Sequence, residues 1–130
     1  MKQPRARPKL LPVSEQMKAW SAALGSEIGG WPEVTERPFF GLTALYRKDR
    51  IFVLLPRTRA IRTANSLAFK LESPTATVRA RLDDDPHISS TEIGKARWFT
   101  FELSSASSLH IALDWLGVAY KAAGKNKKSK

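Results

Sequence analysis

The chain has 130 residues, 22 Lys and Arg against 12 Asp and Glu, a formal net charge of +10 and no cysteine. That length favours one domain able to bury a core without covalent staples. The missing cysteine excludes disulfides, thiolate metal sites and cysteine nucleophiles together, and it fits a reducing compartment.

No run approaches the roughly 18 apolar residues needed to span a bilayer. Leu10-Leu11-Pro12-Val13 is far shorter than the apolar centre of a secretory signal. A cytoplasmic protein without membrane contact is therefore expected. The charge is unevenly spread: Lys2, Arg5, Arg7, Lys9, Lys121, Lys125, Lys127, Lys128 and Lys130 hold nine of the basic residues, leaving thirteen against twelve acids in the body. Basic tails of this kind keep a protein soluble and also add salt-sensitive, non-specific affinity for polyanions.

In chain order, residues 1–12 combine three prolines with four basic residues and read as a disordered tail. Ser14 is an N-cap with Glu15 in the first turn, and Met17, Trp20 and Leu24 form the apolar stripe of a helix. Gly25 or the Gly29-Gly30 pair ends that helix, and Trp31-Pro32 cannot continue it. A first strand begins near Val34, and Pro38 marks it as an edge or a bulge. Gly41, after Phe39-Phe40, marks a bend or a close backbone approach.

Leu42–Tyr46 and Ile51–Leu55 then read as a β-hairpin around Arg47-Lys48-Asp49-Arg50. That turn lacks Asn-Gly or Asp-Gly, so a longer loop is expected. Pro56 stops the second strand. Leu67, Phe69 and Leu71 alternate with Ser66, Ala68 and Lys70 as another strand. Ser73-Pro74 signals a helix start, Val78 and Leu82 give its short apolar face, and Asp83-Asp84-Asp85-Pro86 ends it.

Arg97–Leu103 is a further strand, with Phe99, Phe101 and Leu103 on one side and Trp98 opposite them. After the serines at 104–108 a last helix runs to about Ala123, its core stripe Leu109, Ala112, Leu113, Leu116 and Tyr120. Ile111, Trp115 and Val118 are apolar too, a wider arc than a surface helix needs. Either the helix is covered on two sides within the protomer, or these three residues meet a second subunit.

The fold class that follows is α+β: an antiparallel sheet of about five strands, helices mainly on one face, and N- and C-terminal helices flanking the strands. Residues 13–122 form the single domain, and residues 123–130 form a second disordered, lysine-rich tail.

The chain resembles the small bacterial MmcQ/YjbR and TfoX N-terminal-like domains, and also the bacterial luciferase-domain group. The likeness is carried by Trp31-Pro32-Glu33-Val34-Thr35-Glu36-Arg37-Pro38 leading into Phe40-Gly41, by Leu45-Tyr46-Arg47-Lys48-Asp49-Arg50-Ile51-Phe52, by the Leu67–Leu71 strand, by Arg97-Trp98-Phe99-Thr100-Phe101, and by Ala112-Leu113-Asp114-Trp115-Leu116 with Ala119-Tyr120. It spans about Trp31 to Tyr120. The glycine common after the turn Asp in those families is absent here. The resemblance implies an α+β domain, with DNA binding or regulation in some members, and no chemical signature.

Arg47, Lys48, Arg50, Arg57, Arg59 and Arg62 are the candidate nucleic-acid contacts, because the guanidinium fork suits phosphate. The competing reading is a charged rim that blocks edge-to-edge sheet association. Asp83-Asp84-Asp85 with His87 offers hard ligands for a cation but matches no EF-hand spacing, and an acidic helix end explains it better. His110 and Asp114, one turn apart, have the spacing of an acid–base pair but fall on the polar stripe. Trp20, Trp31, Trp98 and Trp115 are either core or the lining of an aromatic pocket. No P-loop, dinucleotide fingerprint or zinc-protease motif is present.

No enzyme, cofactor or metal is expected. The leading reading is a non-enzymatic binding or regulatory module whose partner is a protein or a second copy. The alternatives are a nucleic-acid-associated protein and a small-ligand binder or enzyme with an aromatic pocket.

Overall fold

The computed structural model describes residues 13–61, 63–71, 74–90 and 98–124. In chain order these form α1 (Glu15–Gly29), β1 (Val34–Phe39), β2 (Leu42–Arg47), β3 (Arg50–Pro56), β4 (Ser66–Lys70), α2 (Ala76–Asp84), β5 (Ile88–Ser90), β6 (Trp98–Glu102) and α3 (Ser108–Gly124). The six strands pair antiparallel in the order β1-β2-β3-β4-β6-β5. This is the expected α+β architecture, with one short edge strand, β5, that three residues were too few to announce. No helix among the described residues is long and apolar enough to cross a membrane.

Helix α1 starts where its chemistry places it: the Ser14 hydroxyl accepts the Met17 N–H at 3.0 Å. Met17, Trp20, Leu24 and Ile28 follow at helical spacing and are all buried. The helix runs through Gly25 and ends at Gly29, with Gly30 as its cap. Helix α2 is capped by Thr75, whose hydroxyl accepts the Val78 N–H at 3.2 Å. Ser73, read as that cap, lies outside the described residues. Asp85 and Pro86 end α2 as anticipated.

Both hairpins around β2 are tighter than the sequence indicates. Arg47 and Arg50 are cross-strand partners, so Lys48-Asp49 is a two-residue turn and not the longer loop expected. Lys48 takes φ +59, a left-handed conformation that favours glycine. A distant residue holds it there: the Lys48 N–H donates to the Glu33 carbonyl at 2.9 Å, and Glu33 Oε2 lies 3.4 Å from Lys48 Nζ. Farther along, Leu45 faces Val53 while Tyr46 faces Ile51, leaving Phe52 as an extra residue. Such a bulge breaks the strict alternation of faces, and Phe52 and Val53 are both fully buried.

The core lies between the sheet and the helices. Phe69 of β4 stacks on Phe99 of β6 and on Trp115 of α3, both with centroids 5.8 Å away. In α3 the buried positions are Ser108, Ala112, Trp115, Leu116, Ala119 and Ala123. Leu109, Leu113 and Tyr120 are only partly buried, so the core stripe is rotated toward Trp115. The helix runs to Gly124, one residue past its expected end at Ala123 and two into the segment assigned to the tail.

Candidate interaction surface

The β1–β2 turn combines strain with exposure. Phe39 pairs with Leu42, so Phe40-Gly41 is a two-residue turn, with φ +51 at Phe40 and φ +83 at Gly41. Positive φ at both central positions is the geometry for which Asn-Gly is preferred. Gly41 meets both expectations, the bend and the close approach, because a Cβ there would lie 2.8 Å from Thr58 Oγ1 and 2.9 Å from the Arg59 stem. Phe40 meets neither preference: it is aromatic, left-handed and 76 % exposed. Phe39 packs edge-on against it at 4.9 Å and is itself 39 % exposed.

The segment after β3 buttresses this tip. The Gly41 carbonyl accepts the N–H groups of Arg57 (3.1 Å) and Thr58 (2.8 Å), and Arg59 Nη1 donates to the Phe40 carbonyl at 3.3 Å. The Arg59 guanidinium thus sits at the base of the exposed aromatic pair, and Arg57 is anchored beside it by its backbone, its side chain lining a groove beside α1. Arg37 stands on β1 over the Tyr46 ring at 5.3 Å. In the sequence, Gly41 directly after Phe39-Phe40 is the one signal that these rings stand at a turn.

The six basic candidates do not form one patch. Arg47, Lys48 and Arg50 lie at one end of β3, and Arg57 and Arg59 follow its other end, roughly 20 Å away at 3.3 Å per residue. Arg62 lies outside the described residues. Arg47 is structural: Nε pairs with Glu33 at 3.1 Å, Nη1 donates to the Tyr120 carbonyl at 3.0 Å, and its guanidinium sits 4.1 Å over the Tyr120 ring. The Glu33 carboxyl is held below its usual range, chiefly by the hydrogen bond from Arg47 and also by Lys48. Arg50 is exposed.

Trp115 lies inside the protomer. It is 2 % exposed, its Nε1–H donates to Asp85 Oδ2 at 2.9 Å, and the Arg81 guanidinium of α2 lies 4.8 Å over its ring. Helix α2 therefore covers the side of α3 that the sequence left open to a second subunit. Of the three candidates there, Ile111 is 39 % exposed and Val118 partly buried.

The same contact resolves the acidic run. Asp85 Oδ1 accepts the His87 backbone N–H at 2.9 Å and pairs with His87 Nδ1 at 2.8 Å, while the imidazole stacks on Phe101. Burial raises the Asp85 carboxyl, but the hydrogen bonds from Trp115 and His87 outweigh it and hold the group below its usual range. Asp83 and Asp84 point to solvent, and among the described residues no cluster of three or more His, Cys, Asp or Glu is placed to hold a metal. His110 and Asp114 are both exposed, and no hydrogen bond joins them among the described residues. The tryptophans do not converge on one pocket: Trp20 is in the α1 core, Trp31 packs on Tyr120 at 5.0 Å, Trp115 lies under α2, and Trp98 is partly buried on β6.

No family model, no curated protein and no solved structure matches this chain.

Proposed function

We propose that this protein is a non-enzymatic interaction module that docks a protein partner through the β1–β2 tip. One observation carries the reading: Phe40 is 76 % exposed at φ +51. A left-handed L-residue costs about 1–2 kcal/mol, and nothing in the fold requires an aromatic ring at that turn. Strain kept at an exposed apolar residue is a mark of recognition sites. Aromatic rings beside arginines are also the chemistry that dominates protein interfaces. With Trp115 inside the protomer, self-association through α3 loses its anchor, and the tip is the better contact. Placement within the MmcQ/YjbR and TfoX N-terminal-like group, and a cytoplasmic setting, belong to the same proposal and rest on the sequence.

The position of Arg57 and Arg59 beside the rings favours a second reading, in which single-stranded nucleic acid stacks on Phe39 and Phe40. The basic set is smaller than first counted, because Arg47 is committed to Glu33 and Tyr120.

Fluorinated phenylalanine incorporated throughout gives a direct test, with the Phe40 resonance assigned through Phe40→Asn. The signal is expected to be sharp and solvent-like in purified protein, to broaden selectively in concentrated lysate, and to sharpen again when Arg57 and Arg59 are both replaced by Glu. Broadening abolished by nuclease moves the assignment to the second reading. Equal broadening of the buried Phe52 and Phe69 signals refutes a contact at the tip.

A further inference from the structure

Beside α1 the helix layer leaves a groove of about 500 Å³ over the β1–β3 part of the sheet. Its helical wall is Lys18, Ser21, Ala22, Gly25 and Ser26, and Glu36, Thr43, Leu55 and Arg57 line the sheet side. Small residues on α1 make the space: a Cβ at Gly25 would stand 3.6 Å from Leu55 Cδ1. Three features point to a ligand. Ser21 is only 8 % exposed, and its Oγ is buried without a hydrogen-bond partner. A buried unpaired hydroxyl is unfavourable, and structures rarely keep one without a reason. The groove also carries both signs of charge, with Arg57 and Lys18, the latter also paired with Glu15 at 3.2 Å, as cations and Glu36 as the anion. Finally, the side chains of Arg57 and Glu36 make no ion pair among the described residues.

The spacing of these charges selects the ligand. The Arg57 N–H bonds the Gly41 carbonyl, whereas Glu36 is level with Leu45. Four residues along β2 and one interstrand step to either side of it place roughly 16 Å between the two backbones, and the side chains close part of that gap. A polyanion is disfavoured by Glu36 and a polycation by Lys18 and Arg57. A tripeptide, by contrast, carries opposite charges roughly 10 Å apart. Its volume suits the groove, and its backbone offers donors and acceptors to Ser21, Ser26 and Thr43.

We infer that the α1–β1 groove binds a short zwitterionic peptide, with its carboxylate at Lys18 and Arg57 and its ammonium group at Glu36. The site shares Arg57 with the Phe40 tip but uses neither phenylalanine ring, so it stands or falls without them.

Tri-alanine and its acetylated, amidated form are the probes, titrated into the full chain into the millimolar range and read by amide chemical shifts. Free tri-alanine shifts Ser21, Gly25 and Thr43 together along one saturating curve, and the capped form does not. Arg57→Gln and Glu36→Gln each weaken binding about three- to fivefold. Ser21→Ala weakens it as well while unfolding no earlier than the parent, since that change removes an unpaired group. Phe40→Asn leaves the titration unchanged, which separates this site from the tip. Equal shifts with the capped peptide, shifts confined to the tip, or no shift over the whole range overturn the inference.

Discussion

Phe40→Asn separates strain from recognition. Phe40 holds φ +51 ahead of Gly41 at φ +83, and replacing it with Asn creates the Asn-Gly pair that this two-residue turn favours. Relief of the left-handed penalty returns about 1 kcal/mol, because Asn bears that conformation more easily than an aromatic residue. The loss is the single edge contact with Phe39 at 4.9 Å, about 0.5 kcal/mol for an exposed pair. The variant is therefore more stable than the parent by about 0.5 kcal/mol, a rise in Tm of about 2 °C for a chain of this size. Thermal unfolding followed by circular dichroism, with urea titration as the isothermal check, measures it. Phe40→Ala is the control: Ala keeps the Cβ that makes the conformation costly, so it gains nothing and loses the ring contact. Should Phe40→Asn destabilise the protein by 1 kcal/mol or more, Phe40 is a packing residue and the inference from strain to recognition fails.

Gly41→Ala is expected to cost about 2–3 kcal/mol in urea unfolding, since the new Cβ meets Thr58 and Arg59 inside 3.0 Å at φ +83. Trp115→Phe keeps the ring stack on Phe69 but removes the N–H donated to the Asp85 carboxylate. It should cost about 1.5–3 kcal/mol, with the dimer content on light scattering unchanged. Because the folded Asp85 carboxyl lies below its ordinary value of 3.8, its stabilisation is complete above that pH and is lost as pH falls through the folded value. Asp85→Asn should therefore unfold with a shallower acid limb below about pH 4 than the parent, and parallel acid limbs would discount the pair. Arg47→Gln breaks the link from Glu33 to the Tyr120 carbonyl and should raise amide exchange in the last turn of α3 before exchange rises in the sheet.

Local chemistry made much of this fold legible. The Ser14 cap, the strand at Ser66–Lys70 and the Asp85-Pro86 stop all act within a few residues, and each stands where the sequence puts it, although Ser66 and Ala68 are buried as well as Leu67 and Phe69 on the other face. What escaped depends on residues far apart in the chain. The Lys48-Asp49 turn is tight because Glu33, fifteen residues earlier, holds Lys48 in its left-handed conformation. Trp115 reads as surplus apolar area until α2 brings Arg81 and Asp85 over it. The basic residues looked contiguous because β3 is short in sequence, yet an extended strand sends its two ends to opposite sides of the sheet. Phe40 was hidden in a different way: an aromatic residue beside strand formers reads as strand, and only the backbone reveals that it stands exposed at the turn.

Photo-crosslinking from position 40 in cells producing the full chain tests the central claim most directly, with position 111 on α3 as the comparison. The account predicts a discrete protein adduct from position 40, absent from position 111 and lost when Arg57 and Arg59 are both replaced by Glu. No adduct from position 40, with a discrete one from position 111, would contradict it and return the contact to α3.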